Sequence, residues 1–152
     1  MQYAKNDAKE WKQVEDSEMY ESDRKHDTNV PQRQGHRKRP PNGWIKCNTD
    51  GSFINGNSLT TAGWVIRDSD GMYSGAVKSL GQRVQRPLES ELQAILMAIQ
   101  HCWSLGYGKI VMETDCKTAK EILHDNKLQF HVYNWTRDIK WWCDKFEDIC
   151  FQ

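Results

Sequence analysis

The chain lacks most of the features that would place it in a simple class. It has no net charge: 21 Lys and Arg balance 21 Asp and Glu over 152 residues. Nothing global therefore draws it to nucleic acid or to a membrane surface. No apolar run approaches the ~20 residues that a membrane span requires. No apolar segment near Met1 has the form of a signal peptide. Cysteine is sparse and badly spaced for chemistry. Cys47, Cys102, Cys116, Cys143 and Cys150 are odd in number and never form a C-x-x-C pair. That argues against a disulfide framework and against a zinc site, and suggests reduced, mostly buried thiols in an intracellular protein.

Large apolar side chains are scarce in residues 1–43, where Tyr3, Trp11, Val14, Met19, Tyr20 and Val30 are the main ones. Such a stretch cannot bury enough surface to offset the entropy of ordering it. It reads as a mobile charged arm, with transient helix over 5–22. Its charge is segregated: residues 1–27 hold eight acids against five bases, and 28–43 hold Arg33, Arg37, Lys38 and Arg39 with no acid. The cluster HRKRPP (36–41) has two readings, a solvated linker or a basic element that steers toward phosphates or marks nuclear import.

From residue 44 the pattern becomes that of a folded domain. WIKCNTDGSF (44–53), TTAGWVIRD (60–68) and MYSGAVKSL (72–80) are rich in β-branched and aromatic residues and are separated by short Gly/Asn/Asp links, which predicts an antiparallel meander. The period then lengthens. Leu92, Ile95, Leu96, Ile99 and Trp103 recur every three or four residues, predicting a helix over 88–106 between Pro87 and Gly106. A short apolar strand (108–115), a helix (116–123), a third helix (131–143) and a last strand (145–151) follow. The order β-β-β-α-β-α-α-β describes a mixed α/β sheet flanked by helices.

Three acids stand out by position. Asp50 falls where the first strand gives way to a loop at Gly51, Glu91 lies in the first turn of the long helix, and Asp115 ends the fourth strand. Each has a plain alternative: Asp-Gly is a common turn dipeptide, a first-turn Glu suits the helix dipole, and Asp115 can cap the next helix. Taken together they predict convergence. A strand that follows a helix runs parallel to the first by a right-handed crossover. Ala94 and Ala98 let that helix approach the sheet closely, which points Glu91 at the strand ends. Carboxylates gathered without a counter-charge raise one another's pKa, and a divalent cation relieves this.

The segments NTDGS, ESELQAILMAI and METDCKTAKEIL resemble the three acidic blocks of the ribonuclease H type 1 superfamily, and most closely the ribonuclease H-like domain of plant retroelement-derived proteins. The similarity spans roughly 44–151. It implies a five-stranded mixed sheet of order 3-2-1-4-5 with helices on both faces. It also implies metal-dependent hydrolysis of the RNA strand of RNA–DNA hybrids, using two Mg²⁺ or Mn²⁺ ions with substrate. By motif Asp50, Glu91 and Asp115 match the first three family carboxylates as catalytic and metal-binding residues. Glu89 is a neighbouring acid, but the E-L-x-A-x-x-x-A register favours Glu91. The resemblance further points to Gly51, Ser52, Asn55 and Lys117 as nucleic-acid contacts. A monomer without a membrane partner is expected, in the nucleus or cytoplasm with the nucleus slightly favoured. The family carries a fourth aspartate on a terminal helix, after a histidine-bearing loop that follows the fifth strand. This sequence stops at Gln152, where that loop would begin, and His124 and His131 do not match its histidine. Turnover is therefore expected to be slow. The alternative is a non-catalytic module, derived from such a domain, that binds nucleic acid or a protein.

Overall fold

The computed structural model describes residues 37–125 and 129–152. The expected arm over 1–43 lies outside these residues as far as 36, and so does the transient helix over 5–22. Strands β1 (Ile45–Ser52), β2 (Leu59–Arg67) and β3 (Tyr73–Arg83) form the antiparallel meander. Helix α1 (Pro87–Ser104) leads to β4 (Lys109–Thr114), which pairs in parallel with β1. Helices α2 (Lys117–Asp125) and α3 (Tyr133–Cys143) follow, the latter entered through a short 3-10 turn, and β5 (Asp148–Phe151) adds in parallel to β4. The strand order is β3-β2-β1-β4-β5.

Alternation along the strands divides the sheet into two unlike faces. Ile45 and Cys47 of β1, Trp64 and Ile66 of β2, and Ile110 and Met112 of β4 point to one side and are buried there. All three helices feed the same core, α1 through Leu92, Ile95 and Ile99, α2 through Ile122 and α3 through Ile139. The other face carries Lys46, Asn48 and Asp50 of β1 opposite Arg67, Val65 and Gly63 of β2. The resemblance implied helices on both faces. Among the described residues the second face bears none, and it mixes charged and polar positions with Val65, Val111 and Leu80. What crosses it is the segment 37–40: Lys46 Nζ donates to the Lys38 carbonyl at 3.2 Å, and Pro40 is buried. No helix among the described residues is long and apolar enough to cross a membrane.

Local chemistry sets the boundaries. Asp68 Oδ1 accepts the N–H groups of Asp70 and Met72 at 3.0 and 2.9 Å and closes the β2–β3 turn. Pro87 opens α1, with Glu89 Oε2 accepting the N–H groups of Gln85 and Arg86 at 2.9 and 3.0 Å. Gly106, at φ +83°, takes the left-handed conformation that ends the helix. Strand β3 runs to Arg83 rather than Leu80, since Leu59 pairs with Arg83 and the Thr60 hydroxyl donates to the Gln82 carbonyl at 3.0 Å. Strand β5 is shorter than expected: Phe146 turns into the core, and pairing begins at Asp148. Within the core, Trp64 Nε1 donates to His101 Nδ1 at 3.0 Å, and burial lowers the His101 pKa below its ordinary value, keeping the ring a neutral acceptor.

The tightest constraint is at Gly51. A Cβ there would sit 2.8 Å from the Glu91 backbone nitrogen and closer still to the Ser90 carbonyl. These are helix backbone atoms, which cannot move aside as a side-chain end can. Gly51→Ala should therefore destabilise the fold by about 1–3 kcal/mol or more, the usual cost of overpacking. Chemical denaturation of the two proteins checks this, and equal midpoints would mean that α1 does not press on β1 as described.

Candidate active site

Asp50 does not end its strand. Gly51 and Ser52 continue β1 and pair with Ala62 and Thr61 of β2. The turn reading of Asp-Gly is overridden by this pairing, and the glycine is required by the helix behind it. Asp50 is exposed on the helix-free face. Its cross-strand neighbour is Gly63, whose own neighbour on β3 is Lys78. With no side chain at Gly63, these residues enclose a depression completed by Ser52 and Thr61.

Glu91 falls in the second turn of α1, because the helix starts at Pro87. The first-turn acid is Glu89, and it performs the capping. Glu91 instead reaches toward β1, where its Oε2 accepts the Gly51 N–H at 3.2 Å. Asp115 follows directly on β4 and is exposed. It shares a shallow cleft with Glu91, lined also by Pro87, Leu88, Cys116 and Thr118. Burial pushes the Glu91 pKa up, the Gly51 N–H opposes this, and the negative charges of Asp50 and Asp115 push it further up. The three acids thus share one electrostatic neighbourhood at one end of the sheet.

They do not form a finished cage. Among the described residues no group of three or more His, Cys, Asp or Glu side chains is gathered so that it could hold a metal ion. The donor chemistry still fits a hard divalent cation. The oxygens are carboxylate, the field is negative, and Mg²⁺ is commonly held by one or two carboxylates with waters and substrate phosphate completing its shell.

The other expected contacts are placed as follows. Ser52 lies in the Asp50 depression. Asn55 Oδ1 is occupied in the β1–β2 turn, accepting from the Asn57 and Ser58 N–H groups at 2.9 and 3.0 Å and from the Ser58 hydroxyl at 3.1 Å. Lys117 opens α2 and pairs loosely with Glu121 at 3.7 Å. Lys78 was not marked by the sequence. Only the cross-strand register brings it opposite Gly63 and into the depression with Asp50.

Comparison with known proteins agrees with this arrangement. The family described as reverse transcriptase-like matches residues 48–152, most of the chain. The chain belongs to that family. A relative in Arabidopsis thaliana, which carries the name of a ribonuclease H protein, is 30% identical over 73 residues. The match takes in 48% of this reverse transcriptase-like chain but only 12% of that relative, so the chain spans about an eighth of the relative's length. Solved structures share the fold. The RNase H1 of the archaeon Halobacterium salinarum superposes with a TM-score of 0.67 at 16% identity, over 72% of this chain and 84% of that one. The N-terminal RNase H domain of a Mycobacterium tuberculosis protein gives 0.63 at 13% identity, over 72% and 80%. LC11-RNase H1, solved in complex with an RNA/DNA hybrid, gives 0.63 at 13%, over 71% and 83%. The five-stranded ribonuclease H-like fold of order 3-2-1-4-5 is thereby shown.

The raised pKa of Glu91 has a consequence for stability. A carboxyl whose folded pKa lies above its unfolded value of 4.5 is more costly to ionise in the native state. That cost is absent at pH below the unfolded value and fully present above the folded one. Glu91→Gln keeps an acceptor for Gly51 N–H and removes the charge. It should raise the melting temperature at pH 7, and the gain should vanish at pH near 4. Melting curves at the two pH values check this, and a variant less stable than the parent at pH 7 would contradict the repulsion.

Proposed function

We propose that the chain is a metal-dependent ribonuclease acting on the RNA strand of RNA–DNA hybrids. The observation that carries the reading is the placement of Asp50, Glu91 and Asp115 at one end of a ribonuclease H-like sheet, near enough for both aspartates to act on the Glu91 carboxyl. Asp50, Glu91 and Asp115 would hold Mg²⁺ or Mn²⁺. Bound there, divalent ions supply an acidified water and charge stabilisation at a phosphodiester. Asp50 and Asp115 are exposed and free to turn toward a ligand. Glu91 is fixed by the Gly51 N–H, so it acts as the stationary member of the set. The Gly63 depression admits a phosphate beside Asp50, with Lys78 on its far wall to balance the charge. The Ser52 hydroxyl lines the same depression and can meet a ribose 2′-hydroxyl, the group that separates RNA from DNA.

A second reading is kept by one observation: the three carboxylates are not gathered into a metal-holding group. On that reading the domain binds nucleic acid, or a protein, without cutting. The deciding assay is cleavage of labelled RNA in an RNA–DNA duplex with Mn²⁺. It is run on this chain and on the chain extended after β5 by the terminal helix of a ribonuclease H. Cleavage is expected, with Asp50→Asn slowing it at least ~100-fold, since metal ligation contributes several kcal/mol to such transition states. Mn²⁺ should also raise the melting temperature of the parent but not of the Asp50→Asn, Asp115→Asn double variant. If both forms are folded and neither cuts, the binding reading replaces the enzymatic one.

A further inference from the structure

Cations collect on the helix-free face of the sheet, away from the carboxylate end. Lys46 and Arg67 are direct cross-strand neighbours there, and Arg37, Lys38 and Arg39 line the same cleft. Two acids belong to it, Asp70 and Glu113. Glu113 is taken by Lys46, with which it forms an ion pair, and by Asn48, whose Nδ2 donates to it at 2.6 Å. Asp70 is exposed in the β2–β3 turn. Lys46 and its partner pin segment 37–40 onto the sheet through the Lys38 carbonyl. The charged heads of Arg37, Lys38, Arg39 and Arg67 make no ion pair among the described residues. Like charges held together without partners favour an anion.

The same face continues to the candidate active site. Lys46, Asn48 and Asp50 project in line from β1, and Asn48, between the other two, also lines the cleft. Lys46, in the cleft, lies four residues, roughly 13 Å, from Asp50 along the strand. That exceeds one phosphate repeat of a nucleic-acid strand. Lys78 stands at the Asp50 end and Arg67 at the other. Tyr73 pairs with Arg67 across the irregular register at the end of β2 and is 56% exposed, which sets a ring beside Arg67 for base stacking. Cations in line with an exposed aromatic on an open sheet face are the makings of a single-strand path.

We propose that this face binds a single strand of nucleic acid, running from Lys78 beside Asp50 to the Arg67–Arg39 cleft with Tyr73 as a stacking platform. The inference rests on the nucleic-acid reading above but not on cleavage. It is tested on the full chain by fluorescence anisotropy with labelled oligouridine, and separately with a blunt RNA–DNA hybrid. Oligouridine should bind at low salt and weaken steadily as salt rises. The Arg39→Glu, Arg67→Glu double variant should lose at least ~5-fold in oligouridine affinity, and Tyr73→Ala about as much, the lower end of one stacked base. Both should melt like the parent. A folded parent that binds no oligouridine overturns the proposal, the cleft then serving some other anion such as an acidic peptide. Charge-reversed protein that binds oligouridine as tightly as the parent overturns it too. Oligouridine binding without hybrid binding would sink the enzymatic reading and leave this one standing.

Discussion

The contact on which the rest depends is a backbone-to-backbone seam. At Gly51 the middle strand comes so close to α1 that no Cβ fits between them. The seam does three things together. It seats the buried stripe of α1 on the sheet, with Ala94 and Ala98 fully buried at the interface. It delivers Glu91 to the Gly51 N–H, which fixes one carboxylate without a side-chain partner. It also sets α1 across β1 and β2, so that the crossover to β4 lands parallel to β1 and carries Asp115 to the same end. A larger residue at position 51 would move all three.

That seam also explains why the sheet has two characters. The core, all three helices and the Trp64–His101 hydrogen bond lie on the side that the seam closes. The opposite side, where no helix among the described residues packs, carries Lys46, Asn48, Asp50 and Arg67. Asp50 belongs to that side, although Glu91 approaches from the other. The candidate site therefore straddles the sheet end, with one acid per face and a third on the loop after β4. This accounts for both findings on the carboxylates. They feel one another's charge, yet they are too spread to enclose an ion unaided.

Much of this was legible in the sequence, for identifiable reasons. The apolar spacing from Leu92 to Ile99 and the short links between the first three strands are local signals, and local signals survive folding. The convergence of Asp50, Glu91 and Asp115 was legible because it follows from element order and crossover handedness. Three things were not. The continuation of β1 through Gly51 and Ser52 depends on pairing with Thr61 and Ala62, and pairing outweighed the turn preference of Asp-Gly. The place of Glu91 shifted by a turn because Glu89 took the cap. Lys78, Gly63 and the cation cleft are set by register between strands up to 21 positions apart in the case of Lys46 and Arg67, which no period in the sequence encodes.

The fixed and the exposed acids divide the candidate site between a held carboxylate and two that solvent reaches. Burial, with the charges of Asp50 and Asp115 added, makes the Glu91 carboxylate costly in the native state, and the Gly51 N–H offsets part of that cost. Asp50 and Asp115 are left in solvent, where water screens their mutual repulsion and lets them reorient. A cage assembled in advance would need all three acids to be held as Glu91 is, and among the described residues no hydrogen bond holds Asp50 or Asp115 in that way. Leaving the set open is thus the lower-energy arrangement without a cation. On the proposed function, gathering would then come from the ligand itself rather than from the fold.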